Sequence, residues 1–165
     1  MKRKSIFTRN FLVLILVIIC YKSSFAQLQE IEASKPNWVT VGELKWMSNI
    51  KASLKYFVNG NDTTCLLYLQ DIVKLKNNND MTVYQYFSIR FSGVDNTMGK
   101  LYDLLISFFD QQNKKNKQYE KRFRLGDEMV LVRHFQKITS KAIVLATSKN
   151  SIVLSKNEVD KLFGR

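Results

Sequence analysis

The stretch Thr97–Asn113 reads TMGKLYDLLISFFDQQN and carries the clearest helical pattern after the N-terminal region. Met98, Leu101, Leu105 and Phe108 recur at a spacing of three and four residues. Such spacing places apolar side chains on one face of a helix. Strand-like sequence lies on both sides of this stretch, so it predicts a central helix over about residues 97–113 that packs on a β-sheet.

Alternating apolar residues predict three strands before this helix. The first two form a hairpin between residues 52 and 70, because Asn59-Gly60 is a typical tight-turn pair flanked by alternating patterns. With Asn59-Gly60 as a two-residue turn, Leu54 faces Cys65 across the hairpin. Both side chains then point toward the core. The third strand covers about residues 83–91.

After the helix, four further β runs and a short helix are predicted. The runs cover about residues 119–125, 129–135, 142–147 and 151–154. Ser155 and Glu158 have the spacing of a capping box, which predicts a C-terminal helix over about residues 156–163. Thr40 and Glu43 have the same spacing, but strand-forming residues surround them, so residues 40–51 are either helix or strand.

These elements predict an α+β fold. Consecutive strands with short connections favour antiparallel pairing, and helices that follow whole groups of strands argue against βαβ units. We expect one antiparallel sheet of about six to seven strands. The central helix (about 97–113) and the C-terminal helix (about 156–163) would cover its apolar face. The order of strands and helices suggests a duplication, but no residue-level repeat supports one.

The N-terminal 26 residues have the three parts of a secretory signal peptide. Basic residues come first, an apolar run from Phe11 to Tyr21 follows, and Ser24-Phe25-Ala26 precedes the expected cleavage site. The run is shorter than the roughly 20 residues that span a bilayer. We therefore expect export to the periplasm or the extracellular space. Residues 27–37 would be a flexible lead-in and residues 38–165 a single domain.

Removal of residues 1–26 leaves 21 basic and 14 acidic residues, a net charge of +7. The signal peptide, the Lys/Asn/Ile-rich composition and the ending Leu162-Phe163-Gly164 together resemble those of small secreted proteins of Bacteroidota-type bacteria. The resemblance implies export and supplies no activity.

Cys65 and His134 are the only thiol and the only imidazole after the signal peptide, so a thiol enzyme is one hypothesis. However, Cys65 lies on the apolar side of its predicted strand, where a thiol is inert. A single His and a single Cys also leave a zinc site short of ligands. Neither paired carboxylates nor a Gly-rich phosphate loop is evident. We therefore expect no catalytic group, no metal and no cofactor.

Two surface features favour a binding function. Residues 114–141 contain nine basic and three acidic residues, so most of the excess charge is concentrated there. On the third predicted strand, tyrosine and arginine side chains point away from the core, a composition common in recognition surfaces. A solvated sheet face and cross-strand tyrosine packing explain the same residues without a ligand. The candidate binding residues are Tyr84, Tyr86, Arg90, Arg122, Arg124 and Arg133.

The resulting hypothesis is an exported, non-catalytic binding module with a basic and aromatic sheet face. Its partner would be a protein, a peptide or an anionic glycan, and nucleic acid is not expected. The alternatives are a thiol-dependent enzyme that uses Cys65 and His134, and a structural component of the cell envelope.

Overall fold

A computed structural model describes residues 36–76, 80–116, 118–136 and 141–165. The predicted signal peptide (1–26) and most of the predicted lead-in (27–37) lie outside these ranges. Two four-stranded antiparallel sheets, three α-helices and a short 3-10 helix (Val94–Asn96) form the regular structure of the described part of the chain. In the first sheet the strands are adjacent in sequence order. They are β1 (Val39–Trp46), β2 (Asn49–Asn59), β3 (Asp62–Lys76) and β4 (Thr82–Ser92).

The segment 40–51, which the sequence left open, is strand β1 and the first residues of β2. The capping-box interpretation of Thr40 and Glu43 is therefore wrong. Pairing with β2 decides the conformation, because Thr40 lies opposite Lys55 and Leu44 opposite Ala52 in an antiparallel ladder. Pairing of this kind overrides a local capping pattern.

The β2–β3 hairpin has the predicted face but not the predicted register. Asn59 pairs with Asp62, so the turn is Gly60-Asn61, with Gly60 at φ +60°. Leu54 consequently faces Leu67 rather than Cys65. The ladder is shifted by two residues, and a shift of two leaves every side chain on its predicted side. The expected burial of Cys65 is confirmed.

The predicted central helix is shorter than expected. Helix α1 (Thr97–Ser107) ends before Phe108, and a separate short helix α2 (Gln111–Lys114) follows. The two helices separate at Asp110, whose backbone is extended (φ −66°, ψ 148°). The apolar face of α1 is the predicted one. Its buried residues are Leu101 and Leu105, and Phe108 just beyond it is also fully buried.

The remaining strands form a second sheet and do not extend the first. They are β5 (Glu120–Leu125), β6 (Glu128–Gln136), β7 (Lys141–Ala146) and β8 (Ser151–Ser155), again in sequence order. The α+β class holds in the broad sense, but the expectation of one sheet of six to seven strands is wrong. Among the described residues no hydrogen-bonded ladder joins β4 to β5, because the helical segment intervenes between them.

The predicted C-terminal helix is confirmed as α3 (Lys156–Leu162). The Ser155 backbone N–H and its hydroxyl donate to Glu158 Oε2 at 2.8 and 3.0 Å. Gly164, with φ +70°, follows the end of the helix. At Gly42 of β1 an added Cβ would overlap the carbonyl oxygen of Lys161, so the end of α3 lies directly against β1.

One apolar core connects the two sheets. The cluster takes Leu54, Leu67 and Ile89 from the first sheet and Val132 and Leu145 from the second. Helices α1 and α3 contribute to the same cluster. Each sheet therefore has one face toward this shared core and an outer face directed away from it.

Candidate functional site

The outer face of the first sheet carries a group of tyrosines with one arginine. We call Tyr68, Tyr84, Tyr86 and Arg90 the tyrosine face. The last three alternate along β4, so their side chains lie on the side opposite the buried Ile89. The structure therefore brings together three of the six predicted binding residues.

Tyr68 and Tyr86 form a stacked pair at the centre of this face. Tyr68 lies opposite Ser88, and Tyr86 opposite Gln70, which makes the two tyrosines diagonal neighbours on adjacent strands. Their ring centroids are 5.0 Å apart and the rings are nearly parallel, at 5°. Burial raises the pKa of Tyr68, and the neighbouring Tyr86 raises it further. The Tyr68 hydroxyl therefore stays protonated at neutral pH and is available as a hydrogen-bond donor.

Further side chains extend the aromatic character of this outer face. Trp38 and Phe57 pack edge to face, with centroids 4.7 Å apart. Lys74 Nζ lies 5.4 Å from the centroid of the Tyr84 ring, within the range of a cation–π contact. This face therefore carries several aromatic rings, and Lys74 lies beside one of them.

Two cations share one row of the sheet with an apolar residue between them. Lys55 on β2 pairs with Leu66 on β3, which in turn pairs with Arg90 on β4. The strands carrying Lys55 and Arg90 are two spacings apart, about 10 Å. At Arg90 the first sheet also meets the second, since a Cβ added at Gly126 would overlap the Arg90 carbonyl oxygen.

The other three predicted binding residues lie on the second sheet. Arg122 and Arg124 alternate on β5, and Arg133 faces Glu120 across the β5–β6 ladder. Arg122 Nη2 is 3.1 Å from Glu120 Oε1, so one carboxylate offsets part of this positive charge. Arg122 also lines a shallow pocket of about 330 Å³ beside Met129. These arginines form a basic patch on the second sheet.

Cys65 and His134 lie in different sheets and different surroundings. Cys65 is on β3, fully buried, and burial raises the pKa of its thiol. His134 is on β6, with its ring 5.4 Å from that of Phe108 and Nε2 3.0 Å from the Asn113 carbonyl oxygen. A reactive cysteine needs exposure and a lowered pKa. Cys65 has the opposite properties.

Within the described residues, no group of three or more His, Cys, Asp or Glu side chains is placed to hold a metal ion. Over the same ranges, no helix has the length and apolar character needed to cross a bilayer. Comparison with protein-family models, with curated proteins and with solved structures gave no match to this chain. The function must therefore be inferred from the geometry of the chain itself.

The structure also reveals polar residues that the sequence did not single out, and a β-bulge places the first of them. On β1, Leu44 faces Ala52 and Lys45 faces Ile50, so Lys51 is the extra residue of the ladder. A bulge redirects the side chain of its extra residue. Here Lys51 forms a close ion pair with Glu158 of α3. Burial raises the pKa of Glu158, but hydrogen bonds from Lys51 and Ser155 outweigh it and lower the pKa overall.

A second irregularity places Asp71. Between Gln70 and Lys74, three residues of β3 face one residue of β4. The buried Asp71 carboxylate accepts hydrogen bonds from Asn150 Nδ2 at 2.6 Å and from the Ser151 N–H at 3.3 Å. Burial alone would raise the pKa of Asp71, and these hydrogen bonds lower it instead. Asp71 therefore fastens the β7–β8 turn to the first sheet.

Both irregularities border one open pocket of about 600 Å³. Its lining carries both signs of charge and two aromatic side chains, Trp46 and Tyr84. The sequence did carry a signal for Asp71. This residue continues the inward alternation of Leu67 and Leu69, so its carboxylate is expected on the core side of β3. No comparable signal marked Lys51, because a bulge arises from pairing between strands.

Proposed function

We propose that this chain is an exported, non-catalytic binding module whose tyrosine face holds an extended acidic ligand. The export part rests on the signal peptide predicted from residues 1–26. The binding part rests on one observation: the stacked Tyr68–Tyr86 pair lies on an outer sheet face next to the Lys55–Leu66–Arg90 row.

The tyrosine face has the physical properties of a recognition surface. Tyrosine offers a large, rigid contact area and a hydroxyl at a low cost in conformational entropy. Tyr68 and Tyr86 already hold each other in place, so little further ordering is needed when a ligand binds. Arg90 adds a planar donor group that matches carboxylates.

An extended peptide is the ligand class that fits best. From Thr82 to Ser88 the outer edge of β4 is not paired with any strand within the described residues, whereas at Arg90 the turn at Gly126 packs against it. An edge of this kind can add a peptide strand through backbone hydrogen bonds, while alternate side chains reach the neighbouring face. Lys55 and Arg90 favour acidic side chains at those positions. An anionic glycan would use the same cations and the tyrosine rings without the strand edge.

A thiol enzyme has less support, because the Cys65 thiol is buried with a raised pKa. We expect an alkylating reagent at neutral pH to label Cys65 slowly in the folded protein and quickly in denaturant. Fast labelling of the folded protein would restore the enzyme hypothesis.

The test is titration calorimetry with two probes, a peptide of alternating Glu and Val and an oligomer of galacturonate. We expect one of them to bind, and Tyr86→Ala combined with Arg90→Glu to weaken that binding at least tenfold, or about 1.4 kcal/mol. The matched control is Arg122→Glu combined with Arg124→Glu, which reverses more charge on the other sheet.

The probes and variants separate the outcomes. Preference for the peptide supports strand addition at β4, and preference for the galacturonate supports a glycan ligand on the same face. A larger loss with the Arg122 and Arg124 variant would move the site to the basic patch. Failure of both probes to bind at millimolar concentration would contradict an acidic ligand.

A further inference from the structure

The backbone groups of β4 fall into two sets, and one hydrogen bond shows which set faces β3. The Gly93 N–H, just past the end of β4, donates to the Thr63 carbonyl oxygen at 2.8 Å. These two residues lie opposite each other, because the β3–β4 register reaches them when it continues by one pair. In an antiparallel ladder, every second residue directs both its N–H and its C=O to the same neighbouring strand. The residues of β4 that face β3 in this way are Phe87, Ile89 and Phe91.

The intervening residues of β4 direct their backbone groups away from β3. They are Tyr84, Tyr86, Ser88 and Arg90, and the alternation holds over them because the extra residues of the β3–β4 irregularity belong to β3. Gly126 gives independent support, since a Cβ added there would overlap the Arg90 carbonyl oxygen, which therefore points outward. The turn at Gly126 covers the edge at Arg90. We call the remaining stretch, from Tyr84 to Ser88, the open edge.

We propose that an acidic peptide strand pairs with the open edge in the antiparallel direction and that its acidic residues make the backbone hydrogen bonds. The inference rests on the proposed function, since it takes the acidic ligand of the tyrosine face and assigns its backbone. Antiparallel pairing is slightly more stable per residue than parallel pairing, and every ladder among the described residues is antiparallel. Tyr84, Tyr86 and Ser88 each offer one N–H and one C=O to such a strand.

The direction of pairing decides which ligand residues form these bonds. In an antiparallel pair, two residues that exchange both hydrogen bonds lie directly opposite each other and project their side chains from the same face. Tyr86 and Ser88 project from the outer face, so the ligand residues bonded to them must do the same. In parallel pairing, the bonding ligand residues would be the alternate ones, with side chains on the core side of β4.

The side chains beside the open edge fit an alternating acidic and apolar strand. On the outer face, Arg90 follows the open edge and Lys74 lies over the ring of Tyr84. Both cations are exposed, and no carboxylate among the described residues forms an ion pair with either of them. On the core side, Phe87 is partly exposed and Val83 is 43% exposed. Acidic side chains therefore match the outer face and apolar ones the core side.

Hydrogen exchange tests the backbone arrangement directly. In the free chain, we expect the amide hydrogens of Tyr86 and Ser88 to exchange quickly and those of Phe87 and Ile89 slowly, because only the second pair is bonded to β3. A saturating amount of an end-capped peptide of alternating Glu and Val should slow exchange at Tyr86 and Ser88 at least tenfold. Exchange at Phe87 and Ile89 is the internal control and should change much less. Slow exchange at Tyr86 and Ser88 in the free chain would overturn the proposal, because the edge would already be covered.

Peptides methylated on the backbone nitrogen test the direction of pairing. Methylation removes one hydrogen-bond donor and keeps the side chain. One version of the peptide carries methyl groups on the nitrogens of two Glu residues, and the matched control carries them on two Val residues. We expect methylation at Glu to weaken binding at least tenfold and methylation at Val to weaken it less than threefold. The protein itself is unchanged in this experiment, so its folding is the same throughout.

The outcomes separate this inference from the proposed function. Equal losses from the two methylated peptides, or a larger loss from methylation at Val, would overturn antiparallel pairing and leave an acidic ligand on the tyrosine face. Binding of the galacturonate oligomer without binding of the peptide would do the same. Failure of both probes would overturn both proposals. A free chain that is dimeric in sedimentation equilibrium, with exchange at Tyr86 and Ser88 that becomes fast on dilution, would assign the open edge to a second copy and overturn the peptide as its occupant.

Discussion

The two sheets share a plan but differ in regularity. Each is a four-stranded antiparallel meander in sequence order that is followed by a helix. The three ladders of the second sheet run without a shift in register, whereas those of the first sheet shift in three places. One shift redirects Lys51, and another lies beside Asp71. The first sheet also has the longer strands.

We propose that this difference reflects a division of roles between the sheets. A regular ladder buries apolar side chains efficiently and offers few unusual positions, so in this proposal the second sheet is the scaffold. Irregular pairing costs ladder hydrogen bonds, and bulges are often found next to functional sites. We therefore assign ligand contacts to the first sheet, and the predictions below compare matched positions in the two sheets.

The largest expected difference concerns two turn glycines with the same backbone angle. Gly60 and Gly126 both have φ +60°, but a Cβ at Gly60 would meet nothing within 4 Å, whereas one at Gly126 would overlap the Arg90 carbonyl oxygen. Gly60→Ala should cost about 1–2 kcal/mol from the left-handed backbone alone. Gly126→Ala should cost about 1–3 kcal/mol more, because the turn must move. Urea unfolding measures both, and equal losses would contradict the close packing of this turn on β4.

The next largest effect is at Asp71. Asp71→Ala leaves its donors from the second sheet unpaired and should cost about 1.5–3 kcal/mol, the range for hydrogen bonds to a charged group. The control is Asp62→Ala on the same strand, where Asp62 is exposed and the change should stay within about 0.5 kcal/mol. If both variants unfold at the same urea concentration, Asp71 does not fasten the two sheets.

Asp71 also predicts how stability depends on pH. Its pKa is lowered by folding from an ordinary value of 3.8, so its contribution is present above that value and is lost as the pH falls through the folded pKa. The Asp71→Asn variant should therefore show a flatter fall in stability between about pH 5 and pH 2 than the unmodified protein. Parallel pH curves would show that another carboxylate controls the acid transition.

The ion pair between Lys51 and Glu158 should give a smaller effect. A double-mutant cycle with Lys51→Met and Glu158→Gln should yield a coupling energy of about 1 kcal/mol, since both side chains are roughly three-quarters buried. The exposed pair Arg122 and Glu120 on the second sheet should yield less than about 0.5 kcal/mol. If the coupling energy of the Lys51–Glu158 pair is as small as that of the Arg122–Glu120 pair, the bulge does not position Lys51 for a stabilising ion pair.

The smallest expected effect on stability is at the stacked tyrosines. A cycle with Tyr68→Leu and Tyr86→Leu should give about 0.5–1 kcal/mol of coupling, in the lower part of the range for an aromatic pair. The same variants should reduce ligand binding by more than this coupling energy suggests, because they also remove two hydroxyls. Unchanged ligand binding would limit the pair to a role in sheet stability.

Much of the fold was predictable from local patterns. Alternation predicted seven of the eight strands, and the spacing of Leu101, Leu105 and Phe108 predicted the buried face of α1. The division into two sheets was not predictable, because it depends on which strands pair across the helical segment. Strand β1 was left open for the same reason, since its conformation is fixed by β2.

The candidate site was predictable only in part. Alternation alone placed Tyr84, Tyr86 and Arg90 on one outer face, as the structure shows. It could not show that Arg122, Arg124 and Arg133 belong to a separate sheet. The bulge at Lys51 depends on ladder register, which leaves no reliable pattern in a single sequence.

The most direct test of the division between the two sheets is a nuclear magnetic resonance titration of the ¹⁵N-labelled chain with the acidic probe that binds. We expect the amide signals of Leu66, Tyr68, Tyr86 and Arg90 to shift progressively, while those of β5 and β6 stay in place. Shifts concentrated on Arg122, Arg124 and Arg133, with the first sheet unaffected, would contradict the account.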